Sequence, residues 1–213
     1  MGSETQMRTD ARTGTRMPKS ERRASLLAAA REVFVAVGYH AAAMDDIAER
    51  AGVSKPVLYQ HFPSKLDLYL AILDAGVDSL TEAVNQALAS TTDNKLRVQA
   101  TVAAYFAFVA DRQSGYRLVF ESDLTSEPQV RERVERATYE HARMIADVVS
   151  EDTDLSREEA LLVGAGLLGT AQIAALRWLA NGEQIPRDDA AALIASLSWR
   201  GIASFPLSHP SAQ

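Results

Sequence analysis

Lys55, Pro56, Val57 and Gln60 stand just after Gly52 in the run AMDDIAERAGVSKPVLYQHFPSK at 43–65. These side chains suit recognition rather than bond-making. Lysine donates to guanine O6 and N7, and glutamine pairs with adenine N6 and N7. They can do so only from the protruding N-terminal end of a short helix. The surrounding residues supply one. Ile47, Ala48 and Ala51 form the inner face of a helix from Met44 to Ala51, which Gly52 ends and Val53 plugs. Ser54 reads as the N-cap of the next helix, Pro56 falls in its first turn, and Leu58 and Phe62 turn inward. Two short helices joined through Ala51-Gly52-Val53 predict a helix-turn-helix. Its spacing alone also fits an ordinary helical hairpin with solvated lysine and glutamine.

The rest of the chain has to position that unit. Residues 1–17 are polar, with Arg8, Arg12 and Arg16 four apart, and are expected to be a disordered basic arm. From about Ser20, the apolar residues Leu26, Leu27, Ala30, Val33, Phe34 and Val37 predict a first helix stopping at Gly38. Ser64 with Asp67 opens a long fourth helix to about Ala89. Further helices are expected over 95–113, over a short piece at 116–121, from Pro128 to about Ser150, from Ser156 to about Ala180, and from Pro186 to about Ala203. No strand and no internal repeat is evident. The fold class is all-α with about nine helices. The expected division is a basic arm at 1–17, a helix-turn-helix domain at 18–66, a ligand-binding and dimerisation domain at 67–205, and a tail at 206–213.

Composition narrows the function classes. The absence of cysteine excludes disulfide staples and thiolate metal or redox sites. No apolar run follows the N-terminal charges, so a reducing cytoplasm is the expected compartment. Residues 1–66 hold ten Lys/Arg against seven Asp/Glu, whereas 67–213 hold twelve against twenty-one. A basic first part and an acidic remainder suggest two jobs, the first facing a polyanion. The apolar stretch LLVGAGLLGTAQIAALRWLA at 161–180 has the ~20 residues a bilayer requires. Gln172 and Arg177 within it favour a bundle or dimer helix over a membrane span.

The wider run GYHAAAMDDIAERAGVSKPVLYQHFPSKLDLYLAIL closely resembles the DNA-binding domain of the TetR family of bacterial regulators. Gly38-Tyr39, Ile47-Ala48, Ala51-Gly52-Val53-Ser54, Leu58-Tyr59, His61-Phe62 and Lys65 carry the likeness. It implies Tyr59 and Lys65 as phosphate contacts, and Lys55, Pro56, Val57 and Gln60 as the major-groove face, with Arg22 and Arg23 near the backbone. The family's usual hydroxyls are missing at Ala42 and Ala43, which can neither cap the second helix nor touch phosphate. Ser20-Glu21-Arg22-Arg23, STTDN at 90–94 and GYRLVFESDLTSEPQV at 115–130 are further similar to the FasR group of actinobacterial regulators of fatty-acid synthase genes. That likeness implies a homodimer on a palindromic operator, answering to long-chain acyl-CoA. The general family implies repression and the FasR group activation.

The resemblance also assigns the later helices. Leu80, Leu88, Tyr105, Phe106, Phe108, Leu118, Phe120, Ile145 and Trp178 are candidate walls of a tunnel for an acyl chain, although aromatics at helical spacing are ordinary core material. Arg112, Arg117 and Arg143 are candidate cations at its mouth. Gly164, Gly166, Gly169, Ala171, Ala174 and Ala175 make one helix smooth, and with Leu168, Leu193, Leu197 and Trp199 they are the candidate dimer interface. His40, His61, His141 and His209 are scattered and no catalytic motif occurs, so no enzyme activity, metal or cofactor is expected. Two alternatives stay open: a TetR-type repressor of an efflux or catabolic gene with an unrelated apolar ligand, and a helical lipid-binding or scaffold protein without DNA binding.

Overall fold

The computed structural model describes residues 18–111, 124 and 126–201, and among them finds eight helices and no strand. They are α1 (Lys19–Ala41), α2 (Met44–Arg50), α3 (Lys55–His61), α4 (Lys65–Ala89), α5 (Asn94–Ala110), α6 (Pro128–Glu151), α7 (Arg157–Ala180) and α8 (Arg187–Arg200). The arm at 1–17, the short piece expected at 116–121 and the tail at 206–213 lie outside the described residues.

Local chemistry sets most of the boundaries. Ser64 accepts a hydrogen bond from the Asp67 backbone N–H at 3.0 Å and so opens α4. Ser156 and Glu159 form a complete capping box at the start of α7. Pro128 occupies the first turn of α6, where its missing N–H costs nothing. The first helix differs from expectation. Gly38 breaks its geometry at φ 78°, but a further helical turn carries it on to Ala41.

Two clusters of buried residues organise the chain, and α4 contributes to both. The first joins α1 to α4 through Leu26, Phe34, Ile47, Leu58, Phe62, Leu68 and Leu73, with Leu124 and Val130 closing over it. The second is built by the later half of α4 with α5 to α8, through Leu80, Val84, Val102, Phe106, Leu168 and Trp178. Gly164 allows a close approach beside it, because a Cβ there would stand 2.4 Å from the Ala142 carbonyl oxygen. Only a glycine lets α7 lie so close to α6.

Helix α7 is long and apolar enough to cross a membrane by length and composition. One side packs on α6, α5 and α8. Only 28% of its most apolar window is buried, so an apolar face is left over that needs a cover.

Candidate nucleic-acid interface and effector cavity

The reading unit follows from the turn. Gly52 has φ 65°, a left-handed conformation that lets the chain reverse between α2 and α3. Leu58 and Phe62 are buried against Ile47 and Leu26, so the opposite side of α3 is turned outward. Lys55, Pro56, Tyr59 and Gln60 are exposed there, and Val57 is half-buried beside them. The structure thus brings together every α3 residue assigned to DNA contact. Ala43 is the N-cap of α2 and caps nothing with its side chain, as expected from the missing hydroxyl. Ala42, Ala43, Asp45, Lys55, Tyr59, Ser64 and Lys65 line an open hollow of about 430 Å³ beside α3.

Lys65 departs from its assigned role. Its Nζ donates to the backbone oxygens of Tyr39 at 2.8 Å, His40 at 3.4 Å and Ala42 at 2.9 Å, and stands 4.5 Å from the Tyr39 ring centroid. An ammonium has three donors, and all three are taken. Lys65 therefore satisfies the open carbonyls at the end of α1 and ties that end to α4, a role its assignment to phosphate did not include. Arg23 similarly lies over the Phe62 ring, 4.8 Å from its centroid, and packs the start of α1 onto the end of α3. Arg22, one residue earlier, is half-buried on the same turn. Arg50 and Glu32 pair between α2 and α1.

Asp45 was not foreseen. Its carboxylate holds Lys55 Nζ with 2.8 Å to Oδ1 and 3.1 Å to Oδ2, and this pairing raises the ammonium's pKa. The partners come from different helices ten residues apart, so neither helix's own period reveals the pair.

The second cluster encloses a cavity of about 390 Å³ between α4, α5, α6, α7 and α8. Leu88, Tyr105 and Ile145 line it, as expected, with Val98, Val102, Val149 and Leu167. Leu80 and Phe108 instead line a separate space of about 10 Å³, too small for an effector. Phe106 and Trp178 pack on each other at 5.6 Å as core, and the indole N–H donates to the Ile185 carbonyl oxygen at 2.7 Å. Leu118, Phe120, Arg112 and Arg117 lie outside the described residues. Arg143 points to solvent and pairs with Asp147 at 2.9 Å. Among the described residues, the cation that lines the cavity is Arg97, held by Thr91, Asn94 and Asp152 at 2.7, 3.0 and 3.1 Å.

Four of the residues assigned to the dimer interface lie inside the protomer. Gly164, Leu168, Ala171 and Ala175 are buried within the protomer by the close approach of α7 to its own neighbours, whereas Gly166 is exposed and Gly169 and Ala174 are half-buried. Leu168, Ala171 and Trp199 also line the cavity. Leu193 and Trp199 are exposed, and Leu197 is half-buried. Small residues at helical spacing show that a helix is approached closely, not which neighbour approaches it.

Beside the cavity lies a buried polar chain. The Thr81 hydroxyl donates to the Val77 carbonyl oxygen at 2.9 Å, which leaves its oxygen to accept from His141 Nε2–H at 2.8 Å. Burial favours the neutral imidazole, whose Nδ1 then accepts from the Tyr105 hydroxyl at 3.0 Å. Burial pushes the His141 pKa down, with Glu140 opposing, and pushes that of Tyr105 strongly up. Tyr105 lines both the cavity and the small space beside His141. A lone histidine in a charged helix carried no signal of this, since its partners are 36 and 60 residues away.

Known proteins share this architecture. The profile of the family "Bacterial regulatory proteins, tetR family" matches residues 26–72, which span the helix-turn-helix and the start of α4. The transcriptional activator FasR of Mycolicibacterium smegmatis is 48% identical over 93% of this chain and 90% of its own length. A TetR-like regulator from Rhodococcus sp. RHA1 superposes with a TM-score of 0.72 at 27% identity, over 89% of this chain and all of that one. The regulator FadR of Bacillus subtilis, solved with stearoyl-CoA, shares the fold with a TM-score of 0.67 at 17% identity, over 84% of this chain and 98% of its own. With a head that matches the family profile and a relative alike over nearly the whole length, the chain belongs to the tetR family of bacterial transcriptional regulators, close to FasR.

Proposed function

We propose that the protein works in the cytoplasm as a homodimer on a palindromic operator, switched by a long-chain acyl compound of the acyl-CoA type. Residues 18–66 serve as the reading head and 67–205 as the sensor. Each α3 enters a major groove with Lys55, Pro56, Val57 and Gln60 toward the bases and Tyr59 toward phosphate, at half-sites ~34–36 Å apart. The observation that carries the effector reading is the cavity: apolar walls for a chain, and Arg97 with Asp152 as the charged pair beside them. Its about 390 Å³ falls within the ~300–1,000 Å³ common to small-molecule sites. The FasR relative's name, an activator, favours activation over repression.

The dimer forms through the face α7 leaves uncovered. Leu162, Gly166, Gly169 and Ile173 recur at spacings of four, three and four, and Leu162 and Ile173 are 76% and 64% exposed. Leu193 and Trp199 of α8 extend that apolar surface. A two-fold pairing there covers it and sets the distance between the two heads. Helix α4 connects the two, with Lys65 at the head and Leu88 on the cavity wall. An effector that prefers one arrangement of α4 shifts the population of head spacings, and DNA affinity changes by its differential binding energy.

Fluorescence anisotropy with duplexes selected from a random library, over a salt series, with and without stearoyl-CoA, tests the proposal. Salt-sensitive binding that the acyl-CoA alters is expected. Absence of salt-sensitive binding would sink the operator reading, and operator binding indifferent to stearoyl-CoA and to stearate would sink the effector reading.

A further inference from the structure

We infer that Asp45 is a specificity-determining residue of the reading head, which cancels the charge of Lys55 toward the DNA backbone while leaving it a donor for base edges. The inference rests on the groove-facing placement of Lys55 proposed above.

The geometry is on the reading face. Asp45 sits in the first turn of α2 and Lys55 in the first turn of α3, and the ion pair bridges them at 2.8 Å. The Lys55 and Asp45 side chains remain 55% and 65% exposed, so the pair faces water and any approaching duplex rather than the core. Both line the open hollow that Tyr59 and Ser64 also line. Lys65, the other cation in that hollow, gives its three donors to backbone oxygens. What a phosphate meets there is governed by Lys55 and its counter-ion.

Two modes of DNA binding ask different things of Lys55. Binding to any sequence comes from neutralising phosphates and releasing counter-ions, and so responds to net charge. Reading a base edge needs a directed N–H donor. With Asp45 in place the local net charge of the pair is zero, which weakens the first mode. Both carboxylate oxygens lie on one side of the ammonium, which leaves an N–H on the other side for guanine O6 or N7. The same carboxylate keeps the flexible lysine stem across the start of α3, where a groove-facing donor belongs. Asp45 thus lowers affinity for wrong sequences more than for the right one, which is discrimination through a repulsive element.

Asp45→Asn removes the charge at constant shape, and Asp46→Asn makes the same charge change one residue away, at a side chain that does not pair with Lys55. Anisotropy would compare a random-sequence duplex with the library-selected duplex, with thermal unfolding checking that each variant folds. Asp45→Asn should tighten binding to the random duplex by about three- to tenfold near 0.1 M salt, and steepen its log–log salt dependence by about one per protomer. Binding to the selected duplex should change less, so the specificity ratio falls. Asp45→Glu should preserve most of the ratio, and Asp46→Asn should preserve it fully. An equal fall in ratio with Asp46→Asn would overturn the inference, as would an unchanged ratio with Asp45→Asn. If Lys55→Ala leaves selected-duplex binding intact, the groove assignment of Lys55 fails and the inference falls with it. If Lys55→Ala weakens that binding while Asp45→Asn spares the ratio, only the role of Asp45 fails.

Discussion

The two buried clusters solve opposite problems. The head must hold two seven-residue helices in one fixed relation, and it does so with a full apolar interior and ties at its rim. Lys65 on the α1 carbonyls, Arg23 over Phe62 and Arg50 with Glu32 each join elements that are distant in sequence. The sensor keeps a cavity at its centre and places hydroxyls and a histidine around it. Short helices have little stability of their own, so rigidity has to come from packing. A cavity sacrifices packing, and the surrounding helices keep freedom to rearrange. On the proposed function, the rigid interior serves read-out and the looser one serves the effector.

The strongest way to break this contrast is to overpack the close approach of α7 to α6. Gly164→Val would drive side-chain atoms into the backbone of α6, because even a Cβ stands 2.4 Å from the Ala142 carbonyl oxygen and 3.0 Å from the Ala146 nitrogen. Overpacking of this kind costs about 1–3 kcal/mol or more. A lowered chemical-denaturation midpoint is expected, with loss of dimer and DNA binding as the sensor unfolds. Gly164→Ala is the graded comparison, since it places a single Cβ against that carbonyl and should lower the midpoint less than Gly164→Val does.

Next comes the head's tie. Lys65→Met keeps the aliphatic stem but deletes the hydrogen bonds to three carbonyl oxygens. Bonds from a charged donor are each worth ~1.5–3 kcal/mol, and water can replace part of that at this half-buried site, so a loss of about 1–3 kcal/mol is expected. Hydrogen exchange should quicken in α1 to α3 and stay unchanged around the cavity. Equal loosening of both regions would show that the tie does not belong to the head alone. DNA affinity should fall through disorder of α3, with little change in its salt slope, which distinguishes a clamp from a phosphate contact.

These two residues also show where sequence reading succeeds and where it stops. The helix starts were legible because caps act within four residues: Ser64 with Asp67 and Ser156 with Glu159 formed as their spacing implied. The outward face of α3 was legible because Leu58 and Phe62 define the inward one. Lys65 was legible as a cation but not as a clamp, since the carbonyls it satisfies lie 23 to 26 residues earlier. The small residues of α7 announced a close neighbour, yet α6 of the same protomer and α7 of a partner would leave the same pattern. The Tyr105–His141–Thr81 chain needs three helices in register before any of it exists.

That chain supplies a smaller effect, confined to the sensor. His141 is buried and neutral, with its pKa below the usual value. In the unfolded chain it titrates near ~6.5, so between that pH and its depressed folded value the unfolded state binds more protons. The stability it contributes is fully present above ~6.5 and is lost as pH falls through that window. Denaturation between pH 7.5 and 5 should show this slope, and His141→Gln should flatten it. Thr81→Val removes the hydroxyl that accepts Nε2–H and should raise the cost of keeping the imidazole buried. Neither variant should alter the head's hydrogen exchange. If they do, the polar chain holds α4 for both regions, and the contrast between them is softer than their separate interiors suggest.

The smallest effect sharpens the contrast within the sensor itself. Arg143 and Arg97 are both arginines on helices that bound the cavity, but only Arg97 lines it. Arg143 reaches Asp147 one turn along its own helix, and both side chains are about half exposed. Pairs at this spacing are worth about 0.3–0.5 kcal/mol. Arg143→Ala should therefore shift stability by no more than that and leave the response to stearoyl-CoA unchanged in anisotropy. Arg97 is only 17% exposed and bonded to Thr91, Asn94 and Asp152, so Arg97→Ala should alter that response. Equal effects would mean that charge anywhere near the mouth suffices, as long-range attraction of an anionic head group would require. An effect of Arg97→Ala alone would place recognition in the fixed hydrogen-bonding geometry of the cavity wall.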